Sequence, residues 1–211
     1  MAAHSQDRPE TLTQPLSPRW LERPDAYRNF ESAYFVGHGK ETFDRCAEEV
    51  LHWEVKIRSG FDIEVDGSAD GADRADRAGR AGRAARSGRA ESTADVDARA
   101  DGVRPGRAPR VEPGQEPTIR VRLGPLRLAE PSRVIDVFEA EDRCGFTYGT
   151  KPGHPITGEE SFILIRTVDD RVFLLLRSVS RAGLGNWRLG EPFVRLAQII
   201  YRRRYGRALR S

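Results

Sequence analysis

Two cysteines and four histidines are all that this chain of 211 residues offers to a disulfide or a soft metal ion. Cys46 and Cys144 lie far apart and form no CxxC pair, which points to free thiols in a reducing compartment. The histidines are scattered and no HExxH occurs, so a metal centre has no support. No apolar run approaches the roughly 20 residues that a membrane helix needs. The N-terminal run MAAHSQDRPETLTQPLSP lacks the apolar stretch of a secretory signal, and the expected location is cytoplasmic. No Gly-rich phosphate loop follows a strand, and Gly37-His38-Gly39 alone is too little, so no cofactor is expected. A net charge of +3 licenses no strong claim about nucleic acid. The oligomeric state is left open.

Large apolar residues are also missing from one long internal stretch. From Asp66 to about Glu116 the chain is built of Ala, Arg, Gly and Asp in loose R-A-x repeats. Such a segment cannot bury enough surface to offset its chain entropy and is expected to be disordered. Its R-x-x-R spacing lacks interleaved aromatics and is partly offset by Asp70, Asp73 and Asp76, which favours a solvated insert over a nucleic-acid tract. The N-terminus is polar and Pro-rich, with Trp20-Leu21 as a possible docking point. The expected organisation is a disordered arm over 1–26, one α+β domain made of 27–66 and 117–211, and a disordered insert over 67–116.

Within the domain, Phe30 to Val36 reads as the first strand. Phe43, Cys46, Ala47, Val50, Leu51, Trp53 and Ile57 recur at spacings of three and four, which predicts one helix from Thr42 to about Arg58. Phe61, Ile63 and Val65 alternate as a short strand, as do Ile119, Val121 and Leu123. Arg133 to Ala140 follows, with Ile135 and Val137 on one face. Ser161–Arg166 and Val172–Ser180 form a hairpin in which Ser178 and Ser180 end the face of Val172, Leu174 and Leu176. A helix starting near Glu191-Pro192 should bury Phe193, Leu196, Ala197 and Ile200. The same period puts Arg204 on that stripe, with Glu160 as a candidate partner. Arg202, Arg203, Arg207 and Arg210, with Tyr201 and Tyr205 between them, could also touch nucleic acid or anionic lipid, though a solvated basic helix end is the commoner case.

The rest of the domain is organised around CGFTYGTKPGHPITGEESF, from Cys144 to Phe162. Phe146 and Tyr148 share one face of a strand, and Gly145, Thr147 and Gly149 the other. Pro152-Gly153 suits the centre of a type II turn, and Pro155 pushes His154 into an extended shape. Thr157-Gly158 reads as a second turn. In the strand that follows, Glu160 falls beside Phe162 and Leu164, and a carboxylate on an apolar face calls for a partner or a raised pKa. Tyr148, His154 and Glu160 could converge as an acid–base set, or serve only as a buried polar network.

The run FTYGTKPGHPITGEESF is similar to the YGTLPGHP-x-x-GEE-x-F signature of uncharacterised protein family 0548. The likeness extends upstream to Val36-Gly37-His38-Gly39 and downstream to Leu189-Gly190-Glu191-Pro192. Lys151 stands where the family usually has an apolar residue. The resemblance implies no activity. It implies a fold of helix-grip type: a curved antiparallel sheet packed on a long C-terminal helix and one N-terminal helix.

Three readings follow. The first is a domain that holds a small apolar molecule between sheet and C-terminal helix, lined by Phe146, Tyr148, Thr150, His154, Glu160, Ser178 and Ser180. The second is an acid–base enzyme using Tyr148, His154 and Glu160. The third is a structural or partner-binding domain with no pocket.

Overall fold

Alternating apolar and polar residues form seven strands, and they join in one antiparallel sheet. The computed structural model describes the backbone of residues 8–65, 108–123, 126–154, 156–182 and 191–210, and their side chains except 122, 123, 126, 127, 182 and 191–198. By contact the chain divides into two compact units, Met1–Val65 with Ala108–Ser211, and Asp66–Arg107. The second unit, and with it most of the expected insert, lies outside the described residues, as does the loop holding Trp187.

The elements run β1 (Arg28–His38), α1 (Gly39–Val50), α2 (Glu54–Ile57), β2 (Phe61–Val65), β3 (Pro117–Leu123), β4 (Leu126–Glu139), β5 (Arg143–Thr150), β6 (Ile156–Arg166), β7 (Arg171–Ala182) and α3 (Glu191–Ala208). The order across the sheet is β1-β7-β6-β5-β4-β3-β2. This puts β5 to β7, which are buried on both faces over much of their length, in the middle of the sheet. The chain is therefore α+β, with one large antiparallel sheet and few helices.

One sheet face carries Phe146, Tyr148, Phe162, Leu164, Val172, Leu174 and Leu176, and packs on Phe43, Val50 and Trp53 and on Tyr201, Tyr205 and Leu209 of the C-terminal segment. Each such apolar side chain, fully buried, stabilises the fold by about 1.5–3 kcal/mol. A smaller cluster of Phe138, Ile163 and Leu175 lies apart from it. Phe138 sits over Gly145: a Cβ on Gly145 would lie 2.1 Å from the Phe162 carbonyl and 2.9 Å from the Phe138 ring.

Several sequence expectations are corrected here. The helix from Thr42 is not continuous to Arg58: α1 ends at Val50, and Trp53 takes a left-handed φ of 61° before α2. Full burial of the indole against Phe146, ring centroids 4.7 Å apart, holds that unfavourable backbone in place. Ile135 and Val137 do not share a face. The β4–β5 register shifts between Val134 and Asp136, so Val134 faces Tyr148 and Val137 faces Phe146, with Ile135 in the irregular step. Thr157-Gly158 is not a turn, because β6 already runs from Ile156. Pro152-Gly153 does turn as expected, with Gly153 at φ 95° and the His154 N–H donating to the Lys151 carbonyl at 3.2 Å.

The arm and insert boundaries also move. Residues 108–116 belong with the domain: Val111 is buried and its N–H donates to the Leu51 carbonyl at 2.8 Å. Residues 8–27 run along the sheet as a strap rather than as a free arm. Trp20 is buried and donates to the Leu12 carbonyl at 3.0 Å, whereas Leu21 is exposed. The Thr13 hydroxyl meets Ser161 Oγ at 2.6 Å, which meets Thr147 Oγ1 at 2.6 Å. The Arg177 guanidinium, 0% exposed, donates to the carbonyls of Gln14 at 2.6 Å and Ser17 at 3.0 Å and pairs with Glu31 at 3.1 Å. The strap's carbonyls are thus the acceptors that a buried guanidinium requires. The sequence pattern of the strap is polar because its anchoring groups are backbone.

Candidate functional site

Antiparallel register brings one row of side chains together across five strands. Val134 of β4 faces Tyr148 of β5, Tyr148 faces Glu160 of β6, Glu160 faces Ser178 of β7, and Ser178 faces Phe30 of β1. Directly opposed residues share a sheet face, so all five lie on the helix-bearing side. The adjacent row of this face, Phe146, Phe162 and Leu176, is wholly apolar. The Tyr148–Glu160–Ser178 row is therefore a polar line bordering an apolar face, and the expected alternation of Tyr148 and Glu160 holds.

The groups that answer Glu160 come from the helices. Lys56 of α2 places its Nζ 3.0 Å from Glu160 Oε2. Tyr148 donates its phenolic hydrogen to the same carboxylate oxygen. The Lys56 ammonium, only 3% exposed, also sits 4.4 Å from the ring centroid of Phe61, 5.0 Å from Tyr148, 5.2 Å from Tyr205 and 5.8 Å from Phe162. These are cation–π distances. On the other flank, Arg202 of α3 lies 3.7 Å over the Phe30 ring and donates to Ser178 Oγ at 3.2 Å. Burial lowers the Arg202 pKa, and the nearby Glu160 charge opposes that.

His154 reaches the site from the β5–β6 turn. It is 8% exposed, and burial, reinforced by the Lys56 charge, pushes its pKa down to about 4. The ring is therefore neutral near pH 7. Its Nδ1 accepts the Ile156 N–H at 3.1 Å, so the proton of the neutral ring sits on Nε2. That nitrogen faces Glu130 Oε2 at 3.9 Å. Glu130 of β4 is pushed above the ordinary carboxylate range by desolvation, against the pull of Lys56. In this tautomer His154 can donate toward Glu130, while its one basic nitrogen is already engaged by backbone. Tyr148 and Tyr205 are both raised well above the usual phenol value by burial and remain protonated.

The other sequence candidates divide. Phe146 is a core residue against Trp53 and Phe162. Thr150 accepts the Gly158 N–H at 3.0 Å and closes the strand end. Ser180 is buried beyond Ser178, opposite Gly158. Lys151 is accommodated by leaving the core: it pairs with Glu116 at 2.6 Å on the surface. Arg204 is not the partner of Glu160. It donates to the Ser59 carbonyl at 3.0 Å, and Lys56 takes the place proposed for it. Ile200 is 39% exposed, and the described buried stripe of α3 runs through Tyr201, Tyr205 and Ala208. Phe193, Leu196 and Ala197 lie outside the described side chains. Because both tyrosines face the core, they are not available to stack on nucleic acid beside the arginines.

Sequence reasoning missed Lys56 and Glu130 and the roles of Arg202 and Tyr205. Lys56 had one signal: a charged residue between Val55 and Ile57 on a helix whose apolar stripe was otherwise regular. Among the described residues, no group of three or more His, Cys, Asp or Glu side chains could hold a metal ion. No described helix is long and apolar enough to cross a membrane. A cavity of about 200 Å³ lies elsewhere, lined by strap residues from Glu10 to Pro24, and contains none of the row.

The chain matches the family described as "Domain of unknown function (DUF1990)" over residues 13–85 and 80–208. It is 42% identical over 78 residues to a UPF0548 protein of Deinococcus radiodurans, a match covering 37% of this chain and 39% of that protein. Among solved structures it resembles a hypothetical protein of Helicobacter pylori, with a TM-score of 0.50 and 10% identity over 88% of this chain and 86% of that one. That likeness is one of fold. A putative uncharacterised protein of Rhizobium leguminosarum aligns at a TM-score of 0.41 and 11% identity, covering 87% of this chain and 94% of that one.

Proposed function

The chain belongs to the DUF1990 family, which brings no assigned chemistry, and we propose from its own residues that it is a small-molecule-binding domain whose site is the Tyr148–Glu160–Ser178 row. One observation carries this reading: a buried lysine is paired with a carboxylate, 18% exposed, at the polar edge of an otherwise apolar face. Burying a charge costs several kcal/mol, and apolar residues of similar size often do as well or better for stability. A fold that keeps the pair is using it for something besides stability. In this reading α3 lies across the sheet in the manner of a grip helix. Phe162, Tyr205 and Phe61 hold the apolar body of a ligand, and Lys56, Tyr148 and Arg202 meet its polar end. The ligand is therefore amphipathic rather than wholly apolar.

A second reading, acid–base catalysis, is favoured by the unbroken line from the Tyr148 hydroxyl through Glu160 to Lys56. In it Glu160 is the proton carrier, and His154, with Nδ1 engaged, positions Glu130.

The test uses the double variant Lys56→Met with Glu160→Leu, which removes both charges and keeps the volume. Melting temperature and native mass are measured for wild type and variant against a panel of fatty acids, aromatic carboxylates and aldehydes. The binding reading expects a folded variant and a ligand shift in wild type alone. A variant without cooperative melting, together with a wild type that no panel member shifts, would leave only the structural role.

A further inference from the structure

Arginine outnumbers lysine heavily in this chain: of 35 basic residues only Lys40, Lys56 and Lys151 are lysine. Among the described residues the one buried arginine, Arg177, is surrounded by oxygens. Arg177 has the carbonyls of Gln14 and Ser17 and the Glu31 carboxylate within 3.1 Å. Lys56 is buried in a different setting. Its ammonium has three N–H donors, yet among the described residues its oxygen partner is Glu160 alone, and four aromatic rings form the rest of its surroundings. Arginine holds its proton under all ordinary conditions, whereas lysine can release one and become a nucleophile. The group that could take that proton is in contact at 3.0 Å, and it is itself hydrogen-bonded by a phenol. Nearby, the Trp53 indole N–H is buried without a hydrogen-bond partner, its ring centroid 5.9 Å from that of Tyr148. A donor in that condition awaits an acceptor atom.

We propose that Lys56 is a carbonyl-capturing amine, forming a reversible imine with a small aldehyde or ketone whose apolar body packs on the surrounding rings. The proposal rests on the reading of this row as a ligand site and names the class of its ligand. The ammonium gives one proton to Glu160, and the freed lone pair of Nζ attacks the carbonyl carbon. A C–N bond forms, and the C=O π pair moves to oxygen. The Nζ proton and the Glu160 proton pass in turn to that oxygen, the C–O bond breaks, and water leaves. The product is a protonated imine, in which the former carbonyl carbon is doubly bonded to Nζ of Lys56, facing a Glu160 carboxylate. One water is released, charge is conserved, and no oxidant or reductant takes part. The Glu160 carboxylate that balances the ammonium at the start balances the iminium at the end, so an ion pair exists at both ends of the step. Tyr148 donates to Glu160 throughout and keeps the carboxylate oriented.

The experiment is reductive trapping of the full-length chain with benzaldehyde and cyanoborohydride at pH 7, read by peptide mapping. The two other lysines are internal controls, because their side chains are far more exposed, 62% for Lys40 and 38% for Lys151. The proposal expects benzylation of Lys56 at least tenfold above either control, and at least a tenfold loss of that labelling in Glu160→Gln. Labelling that follows exposure, with Lys40 and Lys151 modified and Lys56 untouched in folded protein, overturns it. That selectivity is measured on wild type and does not depend on any variant folding. Benzaldehyde that raises the wild-type melting temperature without labelling Lys56 overturns the imine and leaves the binding site standing. No thermal shift and no labelling overturns the imine, and the panel of fatty acids and aromatic carboxylates then decides the binding site by itself.

Discussion

Tyr148 and Glu160 sit directly opposite each other on β5 and β6, and the phenol donates to the carboxylate that also holds the Lys56 ammonium. An antiparallel ladder sets this pairing, so the hydrogen bond is a consequence of register rather than of side-chain search. A one-residue slip of β6 would send Glu160 and Phe162 to the opposite face and take the counter-charge of Lys56 away.

The ion pair should therefore show strong coupling in a mutant cycle. Glu160→Leu strands the buried Lys56 ammonium and should cost about 3–5 kcal/mol, and Lys56→Met, which strands a carboxylate 18% exposed, should cost less. The double variant Lys56→Met with Glu160→Leu should recover most of that loss. Urea denaturation of the four proteins gives the coupling energy. Additive losses would mean that the two groups do not depend on each other.

Glycine positions should separate by what surrounds them. A Cβ on Gly158 would lie 1.9 Å from the Val179 carbonyl oxygen, which is backbone of the neighbouring strand. Gly158→Ala should cost about 3 kcal/mol or more by pushing β6 from β7. Gly39 has φ 83° and nothing within 4 Å of its Cβ position, so Gly39→Ala should cost only the left-handed strain, about 1–2 kcal/mol. Melting temperatures test the order, and equal losses would contradict it.

His154 should make stability fall in mild acid. Its folded value of about 4 lies below the ordinary 6.5, so between those values the unfolded chain binds a proton that the folded chain refuses. Its contribution is intact above pH 6.5 and is lost as pH falls through 4, on the order of 3 kcal/mol in all. Glu130 has the opposite sign: raised above 4.5, it holds a proton in the folded state that the unfolded chain has released, so its contribution weakens as pH rises. Subtracting the stability curve of His154→Gln from wild type isolates the histidine. A flat difference between pH 4 and 6.5 would show that the imidazole titrates normally.

The strap should come loose when its anchor is removed. Arg177→Met removes the guanidinium from the Gln14 and Ser17 carbonyls and leaves Glu31 with Arg23 alone. Trypsin cleavage after Arg19 should then accelerate at least about tenfold, which corresponds to a local opening made easier by roughly 1.4 kcal/mol. An unchanged cleavage rate would show that Trp20 and Thr13 hold the strap without it.

Some of this was legible in the sequence, and for a physical reason. Side chains alternate along a strand whatever surrounds it, so Phe146 with Tyr148, and Glu160 with Phe162, could be put on one face before any partner was known. Pro152 and Gly153 specify their turn through their own backbone limits. The α+β class follows from the same local rules, summed along the chain. What pairs with what was decided by tertiary structure. Lys56 reached Glu160 because the helix breaks at Trp53, and that break depends on the indole's burial rather than on local preference. The β4 irregularity that sets Val134 opposite Tyr148 depends on the neighbouring strand. The strap's hold on Arg177 is made of backbone carbonyls, which every sequence carries and none advertises. Periodicity reports what one element offers, and a charge's partner is chosen by elements that only folding brings within reach.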